Sequence, residues 1–240
     1  MISVLGSATF DLSLSPSYEA VRVDDRVLLL SDGLPTEAQL DLFDVSDPAG
    51  IEQEGSLSLP ARALAPSSPA TESDLAFVNT VQGIQAVDIS DPLSPVEIGS
   101  PYAAPEPAGS LALRGDALYL GGRADGVLVV DVSDPTAPVL RDVRGEAREV
   151  NQLWIDGDRL YVTSQNTLLV YDITDPLSPV LVFGENAQAN PWRLVRRVAG
   201  TSGDRLVGLR FTGLYSYKSC GIFTDDFETG TLGAWSGAQP

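Results

Sequence analysis

Apolar and polar positions along the chain follow a pattern that recurs four times. In each copy an apolar run ends in an aspartate, and a turn containing a second aspartate follows, at residues 40–48, 84–92, 127–135 and 168–176. The first aspartate falls at positions 44, 88, 131 and 172, so the copies are spaced by 44, 43 and 41 residues. A period near 40 to 45 residues is typical of four-stranded sheets repeated around an axis, as in a β-propeller.

The third and fourth copies each contain four strand-sized apolar runs. These runs lie at 110–113, 117–120, 127–132 and 139–143, and at 152–155, 159–163, 167–173 and 180–183. Gly115-Asp116 and Asp156-Gly157 separate the first two runs of each copy, and such dipeptides indicate tight hairpins. No long segment keeps a helical apolar period, and prolines interrupt most windows, so we expect almost no helix.

The two ends of the chain look like parts of one further repeat. Residues 2–7 resemble a fourth strand, whereas 192–199, 205–211 and 213–219 resemble the first three strands. The sequence therefore predicts an all-β propeller of about five four-stranded blades, with the last blade closed by the N-terminal strand. In the alternative interpretation, the chain is a fragment of a larger propeller with further blades upstream. Residues 1–219 would form the propeller, and residues 220–240 an acidic and aromatic tail that we expect to be flexible.

The recurring aspartates allow two interpretations. They are Asp44, Asp88, Asp131 and Asp172 at the strand ends, and Asp47, Asp91, Asp134 and Asp175 in the turns. Carboxylates could form a ring of calcium ligands, but residues that recur once per blade would lie too far apart to share an ion. Aspartate also accepts hydrogen bonds from backbone N–H groups in turns, and a following proline presets the turn. We therefore predict structural turn residues and no metal site.

Apolar side chains of the third strands are predicted to form the core, because sheets that stack face to face bury both sides. Examples are Leu128, Val130, Leu169 and Tyr171. Trp154, on a predicted innermost strand, is interpreted as another core residue, with a ligand contact at the axis as the alternative.

Charge narrows the range of partners. The chain has a net charge of −18, with 33 acidic and 15 basic residues among 240. Such a surface repels nucleic-acid phosphates and anionic lipid, so we expect neither as a partner. No run of about 20 apolar residues is present, so we predict no transmembrane segment.

Catalytic chemistry is restricted by residue types. The chain has no histidine and one cysteine, Cys220. A Ser–His–Asp or Cys–His site therefore cannot be built, and no phosphate-binding glycine motif is present. We predict a protein that is not an enzyme and needs no cofactor. A hydrolase or calcium-dependent enzyme with a carboxylate site at the axis is the alternative, because paired carboxylates can hydrolyse glycosides.

A binding surface is the remaining possibility. In a propeller, the loops between strands two and three share one face with the links to the next blade. These loops lie at 32–38, 82–83, 121–126 and 164–166, and they vary in length and chemistry. Variation on one face of a regular scaffold indicates where specificity resides. Arg123, Asp125, Gln165 and Asn166 are the polar candidates, with an unknown protein or glycan as partner.

Residues 126–135, Gly-Val-Leu-Val-Val-Asp-Val-Ser-Asp-Pro, followed by Ala-Pro-Val-Leu at 137–140, resemble the LVIVD repeat. The resemblance extends over residues 1 to about 219, with departures: Gly50 and Ile51 replace the later proline of the first copy, and Lys218 replaces the last repeat aspartate. It implies a β-propeller of the kind found in bacterial and archaeal proteins, often at the cell surface. It implies no particular activity, because the family has no established common chemistry.

Residues 223–236 look like a short carboxy-terminal segment of exported bacterial proteins, or like the first strand of a jelly-roll domain. By contrast, residues 1–10 do not look like a secretory signal, which leaves a cytoplasmic protein as the alternative unless the chain is a processed or incomplete piece. We expect a non-enzymatic binding or scaffold module of an exported or cell-surface bacterial protein. A structural spacer domain is a further alternative.

Overall fold

The chain forms antiparallel sheets in which strands that follow one another in sequence are neighbours. The computed structural model describes residues 18–32, 37–60, 63, 70–106, 108–164, 167–186, 192–198, 205–210 and 213–218. The first sheet contains β1 (Tyr18–Val23), β2 (Arg26–Asp32), β3 (Ala38–Asp44) and β4 (Glu52–Leu59), and the second β5 (Ala70–Glu72), β6 (Leu75–Thr80), β7 (Gly83–Asp88) and β8 (Val96–Tyr102). The third contains β9 (Ser110–Arg114), β10 (Ala117–Gly121), β11 (Val127–Asp131) and β12 (Val139–Arg144). The fourth contains β13 (Val150–Asp156), β14 (Arg159–Ser164), β15 (Thr167–Asp172) and β16 (Val180–Asn186). The fifth contains β17 (Trp192–Val198), β18 (Arg205–Arg210) and β19 (Gly213–Lys218).

This arrangement confirms the predicted all-β class and the predicted strands of the third and fourth copies, which agree with the structure to within a few residues. The described residues form no helix, and hence no helix long and apolar enough to cross a membrane. Within the described ranges, four sheets have four strands and the fifth has three. The predicted outer strand at residues 2–7 lies outside the described residues, so the five-bladed closure stays a prediction.

Each of the first four sheets begins with a tight hairpin whose first turn residue has a left-handed backbone. These residues are Asp24, Ser73, Gly115 and Gly157, with φ of 51°, 52°, 53° and 56°. Glycine adopts this conformation without the steric cost that a Cβ atom imposes. The third and fourth hairpins therefore contain the residue best suited to the turn, whereas Asp24 and Ser73 adopt it at some cost.

The middle strands are buried on both faces, and alternate side chains enter different cores. In β10, Tyr119 packs into the cluster between the third and fourth sheets, whereas Leu118 and Leu120 pack into the cluster between the second and third. A third cluster joins the first and second sheets in the same way. The predicted core residues Leu128, Val130, Leu169 and Tyr171 are all buried, at 1%, 0%, 5% and 1% exposure, which confirms their role. Each such Leu or Val contributes about 1.5–3 kcal/mol of burial free energy.

Successive sheets also meet along their first strands. The strand β1 contacts β5, β5 contacts β9, β9 contacts β13, and β13 contacts β17. Polar bonds cross the same boundaries: the Gly115 N–H donates to the Glu72 carboxylate at 2.5 Å, and Arg114 pairs with Asp158 at 3.2 Å. The first strands, each at one edge of its sheet, therefore lie side by side along the same edge of the stacked sheets.

The fourth strands contain irregularities that turn single side chains towards their own sheet. In β12 the pairing with β11 shifts between Val129 and Val130, which leaves Arg141 without an opposite residue. The guanidinium of Arg141 then bonds the Asp131 carboxylate at 2.7 Å. A matching shift in β4 leaves Glu54 unpaired in the register, and its carboxylate bonds Arg26 at 2.9 Å. Bulges of this kind re-aim a side chain and blunt an exposed edge strand.

The turns after the third strands of the second and third sheets pack against the fourth strand of the preceding sheet. A Cβ atom on Gly55, in β4, would collide with the backbone carbonyl oxygen of Pro92. A Cβ atom on Gly99, in β8, would approach the Cα atom of Thr136 to 3.1 Å. Small residues at these two positions therefore let neighbouring sheets approach each other at the level of their backbones.

Substitution of Gly55 by alanine is expected to lower the free energy of unfolding by roughly 1–3 kcal/mol, because the added methyl group meets a backbone carbonyl that cannot rotate away. Gly145→Ala is the matched control, since the atom nearest to its added Cβ would be the Asp125 carbonyl oxygen at 3.9 Å and its φ is not left-handed. Urea denaturation measures both variants. Equal stability of the two would contradict the close approach of the first two sheets.

Candidate functional site

The first aspartate of each repeat closes the turn that follows its own strand. The backbone N–H two residues on donates to each carboxylate: Ser46 to Asp44 at 2.7 Å, Ser90 to Asp88 at 2.9 Å, Ser133 to Asp131 at 2.9 Å and Thr174 to Asp172 at 2.8 Å. The residue after each aspartate donates its N–H to the first hairpin of the sheet: Val45 to Asp25 at 2.8 Å, Ile89 to Asp74 at 2.8 Å, Val132 to Asp116 at 2.8 Å and Ile173 to Asp158 at 2.9 Å. The end of each of these third strands is thus hydrogen-bonded both to the turn that follows it and to the first hairpin of its sheet.

The second aspartate of each repeat builds the Asp-Pro turn. Its carboxylate accepts a backbone N–H two residues on, in the pairs Asp47–Ala49 at 2.9 Å, Asp91–Leu93 at 3.1 Å, Asp134–Thr136 at 2.9 Å and Asp175–Leu177 at 3.3 Å. The carbonyl of the same aspartate accepts the N–H three residues on, for example Ala137 to Asp134 at 3.0 Å. We call the end of the sheets formed by these turns and the first hairpins the turn face. Its recurring carboxylates are engaged in the turns that they build.

Hydrogen bonds to these carboxylates favour their charged form. The Ser133 N–H, the Ser133 hydroxyl and then Arg141 lower the pKa of Asp131 to about 2 from the usual 3.8. Bonds from the residue two positions on likewise lower the pKa values of Asp44, Asp88, Asp134 and Asp172. A donor that is already placed stabilises the carboxylate relative to the carboxylic acid.

The opposite end of the third sheet carries the loop 122–126, where sequence analysis placed Arg123 and Asp125. Three consecutive backbone N–H groups of this loop point at one carboxylate: Arg123 donates to Glu106 at 3.1 Å, Ala124 at 2.9 Å and Asp125 at 2.9 Å. A concave run of N–H groups of this kind binds anions. Glu106, from the link between the second and third sheets, fills it, and the backbone of the loop is thereby fixed.

The loop is also bonded to the link between the third and fourth sheets. The Glu149 N–H donates to the Arg123 carbonyl at 2.8 Å, and the Val150 N–H to the Gly122 carbonyl at 3.0 Å. A Cβ atom on Gly126, whose φ is 87°, would collide with the Arg144 and Ala147 carbonyl oxygens. We call the surface formed by residues 106, 122–126 and 145–150 the loop face.

The exposed arginines of the loop face, Arg123 and Arg148, differ from the other described arginines in their ion pairing. The structure describes the side chains of eight arginines, of which six pair with a carboxylate: Arg22, Arg26, Arg114, Arg141, Arg144 and Arg159. The other two, Arg123 and Arg148, are exposed, make no ion pair within the described residues, and lie in the two segments that Glu149 joins. Among the arginines whose side chains the structure describes, the two without a carboxylate partner therefore lie on the loop face.

Two of the four predicted binding residues, Gln165 and Asn166, lie outside the described residues, so the structure brings together only Arg123 and Asp125. Sequence analysis missed Glu106, Arg148 and Glu149, which belong to links between sheets rather than to the loops considered. Glu149 has a positive φ of 51°, which is unusual for a residue with a side chain. The signal that could have identified them is the position of these links at the same end of the sheets as the loops.

A small pocket beside the second sheet offers a weaker candidate. Its volume is about 120 Å³, and Thr80 and Gln85 are among its lining residues. Most polar groups of these residues are already bonded to the backbone: the Thr80 hydroxyl donates to the Gly83 carbonyl at 2.8 Å, and the Gln85 amide donates to the Ala86 and Ile98 carbonyls at 2.8 and 3.0 Å. Typical small-molecule sites are several times larger, about 300–1,000 Å³.

The axial candidate Trp154 packs on a neighbour within its own sheet. Its ring stacks on Tyr161, with centroids 4.5 Å apart and planes inclined by 24°. Among the described residues, no group of three or more His, Cys, Asp or Glu residues is placed to hold a metal ion.

The repeating sheets with Asp-Pro turns define a repeat protein, and comparison with known families identifies the repeat. The model of the LVIVD repeat matches residues 74–102, 107–142 and 147–186, which are the second, third and fourth sheets. Residues 74–186 therefore consist of LVIVD repeats, which confirms the resemblance over this part of the chain. The first sheet lies outside the matched segments, although it has the same strand order and the same bonds at Asp44 and Asp47. No curated protein matches the chain.

Acid is expected to destabilise the fold through the turn carboxylates. Because the pKa of Asp131 is lowered, its contribution is complete above the unfolded value of 3.8 and is lost as pH falls towards 2. In Asp131→Asn the amide oxygen can still accept the Ser133 N–H, but no charge titrates. We therefore expect the free energy of unfolding to fall less steeply between about pH 5 and pH 2 than in the wild type.

Urea denaturation across this pH range measures the difference. Asp125→Asn is the control, because its exposed carboxylate accepts no bond within the described residues. If Asp131→Asn and the wild type lost stability in parallel, the hydrogen bonds to Asp131 would not account for acid sensitivity.

Proposed function

We propose that this chain is a non-enzymatic β-propeller module that binds a protein or glycan through its loop face. The observation that carries the proposal is a pair of exposed arginines, Arg123 on the loop whose backbone Glu106 fixes and Arg148 on the adjoining link, which Glu149 joins to that loop. Because the backbone is fixed before binding, less conformational entropy is lost when a partner binds. The two guanidinium groups have no carboxylate partner within the described residues. The turn face has the opposite character, because its recurring carboxylates are engaged in turns.

The propeller geometry is proposed with five blades. Its support is the repeated four-stranded sheet, the three family matches and the contacts between successive first strands. Residues 2–7 would add the outer strand to β19 and complete the fifth sheet. Closing the ring in this way would cover the free edge of β19 and give the fifth sheet a fourth strand as its outer edge, as in the other four sheets.

Amide hydrogen exchange of β19 tests this closure. The strand pairs with β18 along one edge, so alternate amides of Gly213–Lys218 have no partner unless another strand covers the second edge. We expect all of these amides to exchange slowly in the full chain, and alternate ones to become fast after deletion of residues 1–7. Fast exchange of the alternate amides in the intact chain would contradict the closure.

The proposed module belongs to an exported or cell-surface protein and has no catalytic activity of its own. The support is the LVIVD repeat together with the resemblance of residues 223–236 to segments of exported proteins. Labelling of intact cells with an antibody against the chain tests the location. Calorimetric titration with calcium and a screen of hydrolase substrates test the second part, and turnover or saturable calcium binding would contradict it.

A matched pair of double variants tests the binding role of the loop face. Arg123→Ala/Asp125→Ala removes one charge of each sign from the loop face but leaves the backbone bonds to Glu106 in place. Arg22→Ala/Asp25→Ala removes the same two charges from the turn face, where the side chains are 67% and 73% exposed. The net charge and the number of substitutions are thus equal.

Capture from a cell-envelope extract and binding to a glycan array provide the measurement, and any partner is then purified and its affinity measured directly. We expect the loop-face variant to weaken binding at least ~10-fold and the turn-face variant to leave it unchanged. If both variants bound every partner as the wild type does, the loop face would not be the binding surface.

A further inference from the structure

The two unpaired arginines of the loop face lie in adjoining segments. The Glu149 N–H bonds the Arg123 carbonyl at 2.8 Å, which places the residue next to Arg148 against Arg123. In this chain carboxylates outnumber basic groups, 33 to 15. Six of the eight arginines with described side chains have taken one, at N–O distances between 2.6 and 3.5 Å. Arg123 and Arg148 remain available for a carboxylate from outside the described fold.

Arginine is suited to a carboxylate ligand. Its planar guanidinium presents parallel N–H donors that match the two oxygens of a carboxylate, and these charge-assisted bonds are roughly twice as strong as neutral ones. The guanidinium also remains charged at every physiological pH, so binding through it requires no change of protonation.

Two exposed carboxylates lie beside the arginines in sequence. Asp125 follows Arg123 by two positions, and Glu149 follows Arg148 directly. Within the described residues, neither of these side chains makes a hydrogen bond or ion pair. The exposed surface therefore carries both signs of charge. A polyanion would meet repulsion from Asp125 and Glu149, whereas a surface with both signs could pair with all four side chains.

We propose that Arg123 and Arg148 receive carboxylate side chains of a protein partner whose surface alternates acidic and basic groups, with Asp125 and Glu149 pairing with the basic ones. This inference rests on the proposed binding role of the loop face and specifies its ligand. A protein surface supplies both charges, whereas an acidic polysaccharide supplies only one.

The backbone beneath these side chains is held before any partner binds. Glu106 accepts three N–H groups of the loop, and Gly126 packs too closely against Arg144 and Ala147 for a side chain. Because the loop and the following link are bonded to each other, the four charged residues are attached to one fixed piece of backbone. Preorganisation of this kind favours selectivity for a particular arrangement of charges.

Titration of the full chain with three probes tests the inference. The probes are an eight-residue peptide of alternating Glu and Lys, octaglutamate and oligogalacturonate. The signals of the arginine Nε–H groups in nitrogen–proton NMR spectra report directly on Arg123 and Arg148. We expect saturable shifts of these two signals with the alternating peptide, with dissociation constants of roughly 1 mM that increase with salt.

The variants Arg123→Ala and Arg148→Ala are each expected to weaken peptide binding ~10-fold, whereas Arg22→Ala leaves it unchanged. Arg123→Lys keeps the charge but loses the parallel donors, so it should bind more weakly than the wild type. Tighter binding of octaglutamate or oligogalacturonate would overturn the assignment of a mixed-charge partner. The absence of a saturable shift at Arg123 and Arg148 with the alternating peptide would overturn the inference as a whole.

The same variants distinguish failure of this inference from failure of the binding role. If the double loop-face variant loses a captured partner while Arg123→Ala and Arg148→Ala retain it, the loop face binds but not through its arginines. If even the double variant retains every partner, the proposed function itself is wrong.

Discussion

Burial of the middle strands on both faces is the constraint on which the rest of the structure depends. All five residues of β10 and all five of β11 are buried, with apolar side chains alternating between two clusters. A sheet of this composition is stable only when another sheet covers each face, since an isolated sheet would expose one apolar layer to water. Successive sheets therefore stack on one another. The connections between strands must then lie at one of the two ends of the strands.

Backbone N–H groups find their hydrogen-bond acceptors in different ways at the turn face and at the loop face. At the turn face the same local bonds recur, because each aspartate accepts N–H groups from residues two positions away, as in the Asp131–Ser133 and Asp134–Thr136 pairs. At the loop face the bonds join distant segments, as in the contact of Glu106 with Arg123 and its neighbours. Bonds formed within one sheet can recur unchanged in every sheet, whereas bonds to the links between sheets depend on the particular links, which leaves the loop face free to vary.

This difference explains how much the sequence could predict. Strands, hairpins and the turns at Asp44 and its equivalents follow from periodicity and local turn chemistry, so they were predictable from the sequence alone. The anion-binding loop closed by Glu106 was not, because the carboxylate lies 17 to 19 residues from the N–H groups that it accepts. The ion pair of Arg141 with Asp131 was equally unpredictable, since it depends on a bulge in β12 that is seen only once the pairing of β11 and β12 is known. For Arg148 the sequence offered its charge and its position in a link at the same end of the sheets as the loops.

The pairing of charges connects this architecture to function. An exposed ion pair contributes little to stability, about 0–1 kcal/mol, so folding alone does not require that Arg123 or Arg148 find a partner. Even so, the turn-face arginines such as Arg159 and Arg141 are bonded to repeat aspartates at 2.7 Å. Their pairing is a by-product of a turn chemistry that places a carboxylate at every strand exit. At the loop face Glu106 is held by backbone N–H groups. Arg123 and Arg148 have no carboxylate partner within the described residues, so their guanidinium groups are available to an external carboxylate.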